Sequence, residues 1–331
     1  MNLLKQLIVR WQKIPMRTHE YIFIILSLLI ICNIGVWFFG FIVSRDNPLL
    51  LGLLTIAYGL GLRHAVDADH IAAIDNITRK FMVDGKRPIS IGLYFSLGHS
   101  TIVILLSLVI ATASSFVEHF LSSYQSIGFV IGTSISTLFL FLIASLNLIT
   151  FFTILQNYRQ PTSKQSSEMK LIGPLSKFFS PLFQTVNKPW HMYFVGLLFG
   201  LGFDTASEVG LLSISAINGL TNASVLVIIL IPLAFTAGMT LIDTADGMLM
   251  LVAYGWAYIK PERKLSYNLI ITLLSVIVAF VIGSIQIFSL FSLPIVSIDM
   301  SIVGYIIIGA FILSWLIAFG IYKIKNFSAL S

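Results

Sequence analysis

The chain has 331 residues, 57% of them hydrophobic and only 10% charged, with a mean hydropathy of +0.95. That is under half the charge of an ordinary soluble domain, which excludes a water-soluble globular protein and points to an all-α polytopic membrane protein. The net charge of +6 does not argue for nucleic acid, because the basic residues fall in loops between apolar runs, and the single cysteine, Cys32, excludes an internal disulfide and a thiolate-built metal site.

A bilayer needs ~20 apolar residues per helical span. By that measure eight spans are expected, at approximately 20–43, 49–78, 89–115, 126–155, 190–218, 223–255, 265–292 and 300–323. The second, fourth and sixth are longer than required, so they are expected to tilt, break or continue into the cytoplasm. Lys5, Arg10, Lys13 and Arg17 precede a first apolar run too long for a cleaved signal peptide.

Of the 20 lysines and arginines, 18 lie in the N-terminal arm, the 79–88, 156–189 and 256–264 loops, or the C-terminal tail. In an eight-span chain those segments share one side. Arg45 stands on the other side and Arg63 inside a span, so the positive-inside rule predicts two cytoplasmic termini. The 156–189 segment, with Arg159, Pro161, Lys164, Lys170, Pro174 and several serines, reads as a cytoplasmic linker between two four-helix halves, 1–155 and 190–331. Phe95-Ser96-Leu97-Gly98-His99-Ser100 in the third span resembles Phe235-Thr236-Ala237-Gly238-Met239-Thr240 in the sixth. Each follows an acid-bearing span, which suggests an inverted repeat; a small-residue packing motif is the alternative explanation.

Within the second span, five of the eight residues from Arg63 to His70 can carry charge. Ionisable groups in a membrane cost at least ~2.5 kcal/mol each, so such a cluster marks a functional site. Two imidazoles and two carboxylates suit a borderline divalent metal. On an ideal helix His64, Asp67 and His70 share a face, with Asp69 about 140° from His64. Two arrangements follow. Either His64, Asp67 and His70 form the ligand face, or Arg63 pairs with Asp67 and Asp69 joins the histidines where the helix is distorted. Gly59 and Gly61 make a local break plausible at that point.

His99, in the third span, is a further ligand candidate beside Ser96, since a short loop makes the second and third spans neighbours. The fifth span offers Asp204, Thr205, Ser207 and Glu208, and the sixth Asp243 and Asp246, as second ligands, a cation relay or partners that orient the histidines. Intramembrane acids outnumber the one intramembrane arginine in this reading, leaving a cavity suited to a cation. Neither an HExxH pair nor eight boxed histidines is present, so an intramembrane metalloenzyme is disfavoured, and the absence of a P-loop means that this chain encodes no ATPase and implies no ATP-binding subunit.

With these residues in view, the chain resembles the bacterial nickel/cobalt transporter family, high-affinity permeases of the cytoplasmic membrane. The family signature, His-x4-Asp-His in the second span, is matched by His64, Asp69 and His70. FSLGHST at 95–101, LGFDTASE at 201–208 and FTAGMTLIDTADG at 235–247 resemble three further family blocks. The resemblance implies a non-enzymatic secondary transporter with Ni²⁺ or Co²⁺ as substrate and no cofactor. It also implies that His64, Asp69 and His70 select the metal, favouring Asp69 where the ideal helix favours Asp67. Export, or carriage of another divalent metal, is the competing reading.

Overall fold

A computed structural model describes residues 16–45, 48–83, 85–112, 121–159, 186–201, 209–210, 225–257, 261–291, 302–310 and 313. The described residues are mostly helical, with no strand among them. The long helices are α1 (Met16–Val43), α2 (Pro48–His64), α3 (Ala68–Val83), α4 (Ile91–Thr112), α5 (Leu121–Arg159), α6 (Met192–Gly200), α7 (Val225–Ala257) and α8 (Pro261–Leu290). Stretches of α1, α4, α5, α7 and α8 are each long and apolar enough to cross a bilayer, and α2 with α3, taken together as one bent span, would be a sixth. Most of the expected fifth and eighth spans, and most of the 156–189 linker, lie outside the described residues.

The outer surface is built for lipid. Along α1, Phe23, Ile24, Ile31, Phe38 and Phe39 are all exposed, which in water would be an aggregating face and in hydrocarbon costs nothing. The fourth span is one helix of 39 residues. At 1.5 Å per residue this is roughly 58 Å, far longer than a bilayer core of about 30 Å. The sixth span runs for 33 residues through Pro232 without stopping.

The second span is the broken one, bent by 51° between α2 and α3. At the bend the backbone tightens: Val66 N–H donates to the Arg63 carbonyl and Asp67 N–H to the His64 carbonyl, i to i−3 bonds that end an α-helix. A new helix then starts, with the Asp67 carbonyl accepting from Ile71 and Asp69 in the first turn, where a carboxylate faces the positive end of the helix dipole. The break therefore falls at Ala65–Asp67, beyond the two glycines expected to cause it. Gly59 and Gly61 lie inside α2, and Gly61 serves packing instead: a Cβ there would strike the backbone of Phe235.

The closest-packed helix pairs are α5 with α8, α4 with α6, α2 with α7 and α4 with α7. One expectation is corrected here. Arg79, assigned to a cytoplasmic loop, lies in α3 and is only 3% exposed. Its guanidinium donates to Thr272 Oγ1 at 2.6 Å and to Asn76 Oδ1 at 3.2 Å, so Arg63 is not the only arginine set among the helices.

Candidate metal centre

Three imidazoles converge where the broken span meets α4. His64 closes α2, His70 stands in the first two turns of α3, and His99 comes from the middle of α4. Their ring centroids are 4.6 Å (His64–His70), 5.0 Å (His64–His99) and 4.8 Å (His70–His99) apart, close to an equilateral triangle. One nitrogen from each ring falls within 4.8 Å of the others. Nε2 of His64 is 3.2 Å from Nε2 of His99. Two nitrogens each bound at about 2.1 Å to adjacent positions of one ion stand about 3 Å apart, so this spacing suits a shared metal.

Carboxylates hold two of the rings from behind. Asp67 Oδ2 is 2.8 Å from His64 Nδ1, and Asp243 Oδ1 is 3.3 Å from His70 Nδ1. A carboxylate on Nδ1 keeps the proton there and presents the Nε2 lone pair outward, the usual way proteins orient a ligating histidine. His70 Nε2 is buried without a hydrogen-bond partner, which leaves a lone pair for an ion; His99 Nδ1, on the other side of its ring from Nε2, is likewise unpartnered. His70 and His99 are buried, whereas the His64 and Asp67 side chains are 20% and 21% exposed, so an ion would arrive from that side. Phe95 packs edge-on to His70 at 4.8 Å, and Phe235 lies 5.8 Å from His64, enclosing the rings in apolar walls.

The bend explains why this set differs from an ideal-helix reading. Continuous α-helix would put Asp67 on the ligand face; the i to i−3 turn carries it behind His64. Asp69 faces elsewhere: Oδ1 accepts from the His70 backbone N–H at 3.0 Å, and Oδ2 from Ser136 and Gln286, each at 3.4 Å. The signature aspartate thus ties the start of α3 to α5 and α8. Arg63 is exposed in the last turn of α2, where a cation faces the negative end of the helix dipole. Ser96 donates to the Leu93 carbonyl at 3.1 Å, inside its own helix. Asp246 is buried one turn beyond Asp243, with one oxygen unpartnered, as is Oδ2 of Asp243. Asp204, Thr205, Ser207 and Glu208 lie outside the described residues.

A second buried polar network escaped the sequence reading. Asp75 accepts from Ser275 at 3.1 Å, Asn76 accepts from Asn147 and from Arg79, and Arg79 also reaches Thr272. All six are buried, joining α3 to α5 and α8. The signal was present: Asp75 lies within the predicted second span, on the same helix as the histidine motif.

A multi-pass helical membrane protein with three imidazoles clustered among its spans is in the class of metal-ion transporters. Residues 50–321 match the family described as NicO, high-affinity nickel-transport protein, and the chain belongs to that family. Its members are transport proteins rather than enzymes. The chain is 42% identical over 330 residues to the high-affinity nickel transport protein of Cupriavidus necator, covering 94% of each. It is 39% identical to the nickel transporter NixA of Staphylococcus aureus, covering 90% of this chain and 93% of that one. It is likewise 39% identical to the cobalt transport protein NhlF of Rhodococcus rhodochrous, covering 80% and 81%. No solved structure matches the chain.

Proposed function

We propose that this protein takes up Ni²⁺, and also Co²⁺, across the cytoplasmic membrane as a secondary transporter, with His64, His70 and His99 as the metal ligands. Asp67 and Asp243 orient the first two. Three neutral nitrogen donors suit late first-row divalent ions far better than Mg²⁺ or Ca²⁺, which prefer oxygen. The convergence of these three rings inside a transporter fold carries the reading. Relatives named for nickel and for cobalt support both substrates. Both termini face the cytoplasm in this reading, the lipid bilayer is the protein's only obligatory surroundings, and no ATP-binding partner is required. The chain divides at 156–189 into halves 1–155 and 190–331.

Uptake of radiolabelled nickel at low metal, in a host lacking its own permeases, tests the assignment. The intact chain should accumulate nickel over an empty-vector control, cobalt should compete and magnesium should not. His64→Ala, His70→Ala and His99→Ala should each lose uptake while still reaching the membrane. Near-normal uptake by any of the three would remove that ligand, and accumulation below the control would indicate export.

A further inference from the structure

Two helix crossings in this protein share the same residues at a fixed offset. Where α2 meets α7, a Cβ at Gly61 would strike the backbone of Phe235, and one at Gly238 would meet backbone atoms of Tyr58 and Leu62. Where α6 meets α4, a Cβ at Gly196 would strike the backbone of Phe95, and one at Gly98 would meet backbone atoms of Tyr193 and Leu197. Tyr58, Gly61 and Leu62 thus correspond to Tyr193, Gly196 and Leu197 at a spacing of 135, and Phe95 and Gly98 to Phe235 and Gly238 at a spacing of 140. A small-residue motif arising by chance accounts for one close crossing, but not for residue-by-residue agreement of both partners in two crossings. Three membrane crossings, α2–α3, α4 and α5, separate the start of one unit from the start of the next, an odd number that inverts the second unit in the bilayer.

The partners are exchanged. The motif helix of the second unit, α7, packs on α2 of the first, and the motif helix of the first, α4, packs on α6 of the second. Within each pair the backbones touch through two glycines, so neither pair has slack to slide; α4 and α7 touch in the same way at Gly92 and Gly247, one crossing that fixes the point about which the pairs turn. The two pairs meet in the centre, where α4 crosses α7 and where the equivalent residues Phe95 and Phe235 flank the histidines. The 3.2 Å contact between His64 and His99 spans this seam, since His64 ends α2 and His99 belongs to α4.

Resting on the reading that these histidines hold the metal, we infer that translocation rocks the pair α2/α7 against the pair α4/α6, opening and closing the seam between His64 and His99. The second unit does not repeat the histidines: the counterparts of His64 and His99 are Phe199 and Met239, both buried and without a nitrogen or oxygen donor in the side chain, and that of His70 is Thr205. One ion per chain is carried in each cycle.

Cys32 is the only cysteine, so a Cys32→Ser chain accepts paired spin labels at chosen sites. Labels at Ile56 and Leu249, and at Val109 and Phe194, report within the pairs; Ile56 with Val109, and Phe194 with Leu249, report across them. All four side chains are exposed and lie outside the metal centre. Distances are measured in proteoliposomes with and without nickel, beside equilibrium dialysis of nickel on the unlabelled Cys32→Ser chain. The expected result is close to one nickel bound per chain, cross-pair distances that shift, and within-pair distances that do not. Bound nickel with altered within-pair distances, or with no distance altered, overturns the rocking of these pairs while sparing the site. Absence of bound nickel overturns the site reading, and this inference with it.

Discussion

Asp243 Oδ1 lies 3.3 Å from Nδ1 of His70, across 173 residues of sequence, with both side chains buried. The bond joins α7 to the first turns of α3, so the proposed ligand and the group that would aim it come from distant parts of the chain. Asp243→Asn keeps the size of the side chain and loses its charge. Outer partners of this kind are worth about 10–100-fold in metal affinity. The expected outcome is a rise of that order in the KM for nickel uptake, with membrane levels of the protein unchanged.

Asp67 and Asp69 should separate cleanly. Asp67 supports His64, so Asp67→Asn should weaken apparent metal affinity with little change in thermal stability in detergent. Asp69 bonds the α3 backbone, Ser136 and Gln286, so Asp69→Asn should cost stability, on the order of 1 kcal/mol for a weakened charge-assisted bond and dipole contact. Uptake kinetics and thermal melting, measured on both variants, check the division; the reverse pattern would return Asp69 to the ligand set.

Acid should compete with metal, because imidazole binds an ion only when deprotonated and its ordinary pKa is about 6.5. Protonation rises as pH falls, so apparent affinity should weaken between about pH 7.5 and 5.5, more at subsaturating than at saturating nickel. De-energised vesicles with an imposed membrane potential separate this effect from any proton coupling. A flat profile would move the binding role toward the carboxylates.

Two glycines two positions apart in a single helix make a steric control. Nothing approaches a Cβ at Gly59, whereas a Cβ at Gly61 would collide with the Phe235 backbone. Gly59→Ala should therefore be neutral, or stabilising by up to about 1 kcal/mol through helix propensity. Gly61→Ala should lower folded yield and uptake together.

Arg79 offers the largest stability effect. Replacing it with glutamine removes charge-assisted bonds to Thr272 and Asn76, each worth about 1.5–3 kcal/mol in a buried setting. Arg79→Gln should lower the melting midpoint sharply, and Arg79→Lys less so; an unshifted midpoint would mean that the network is not structural.

What the sequence could and could not disclose follows from the kind of signal each feature leaves. Spans announce themselves through apolar length, and the histidine motif through charge where charge is costly, so the class and the second-span cluster were legible. His99 was legible only as a neighbour of that cluster, because contact between spans leaves no periodicity. The position of the bend was misassigned to Gly59 and Gly61, although Asp67-Ala68-Asp69 carries the acidic start expected of a new helix. Asp67 fell on the ligand face only in the ideal-helix reading, which allows for no bend. Arg79 was misplaced for a related reason: positive charge near a span end suggests a loop unless buried partners are known, and its partner on α8, Thr272, lies 193 residues away in the chain.

The bent second span has a consequence for biosynthesis. Its latter half, α3, carries Asp69, Asp75, Arg79 and Lys80 beside His70, too many charges to rest in lipid alone, since each of the four adds roughly 2.5–3.5 kcal/mol to insertion at the bilayer centre. Asp243, Thr272 and Ser275, which partner His70, Arg79 and Asp75, arrive with α7 and α8, 173 to 200 residues later. At about 5–20 residues per second, the ribosome supplies them roughly 10–40 s after α3 emerges. During that interval α2 can insert by itself while α3 waits at the membrane surface or inside the translocation machinery. The packing around the histidine cluster is therefore among the last parts of the protein to form, and a nascent chain halted before α7 should leave α3 open to aqueous labelling and proteolysis.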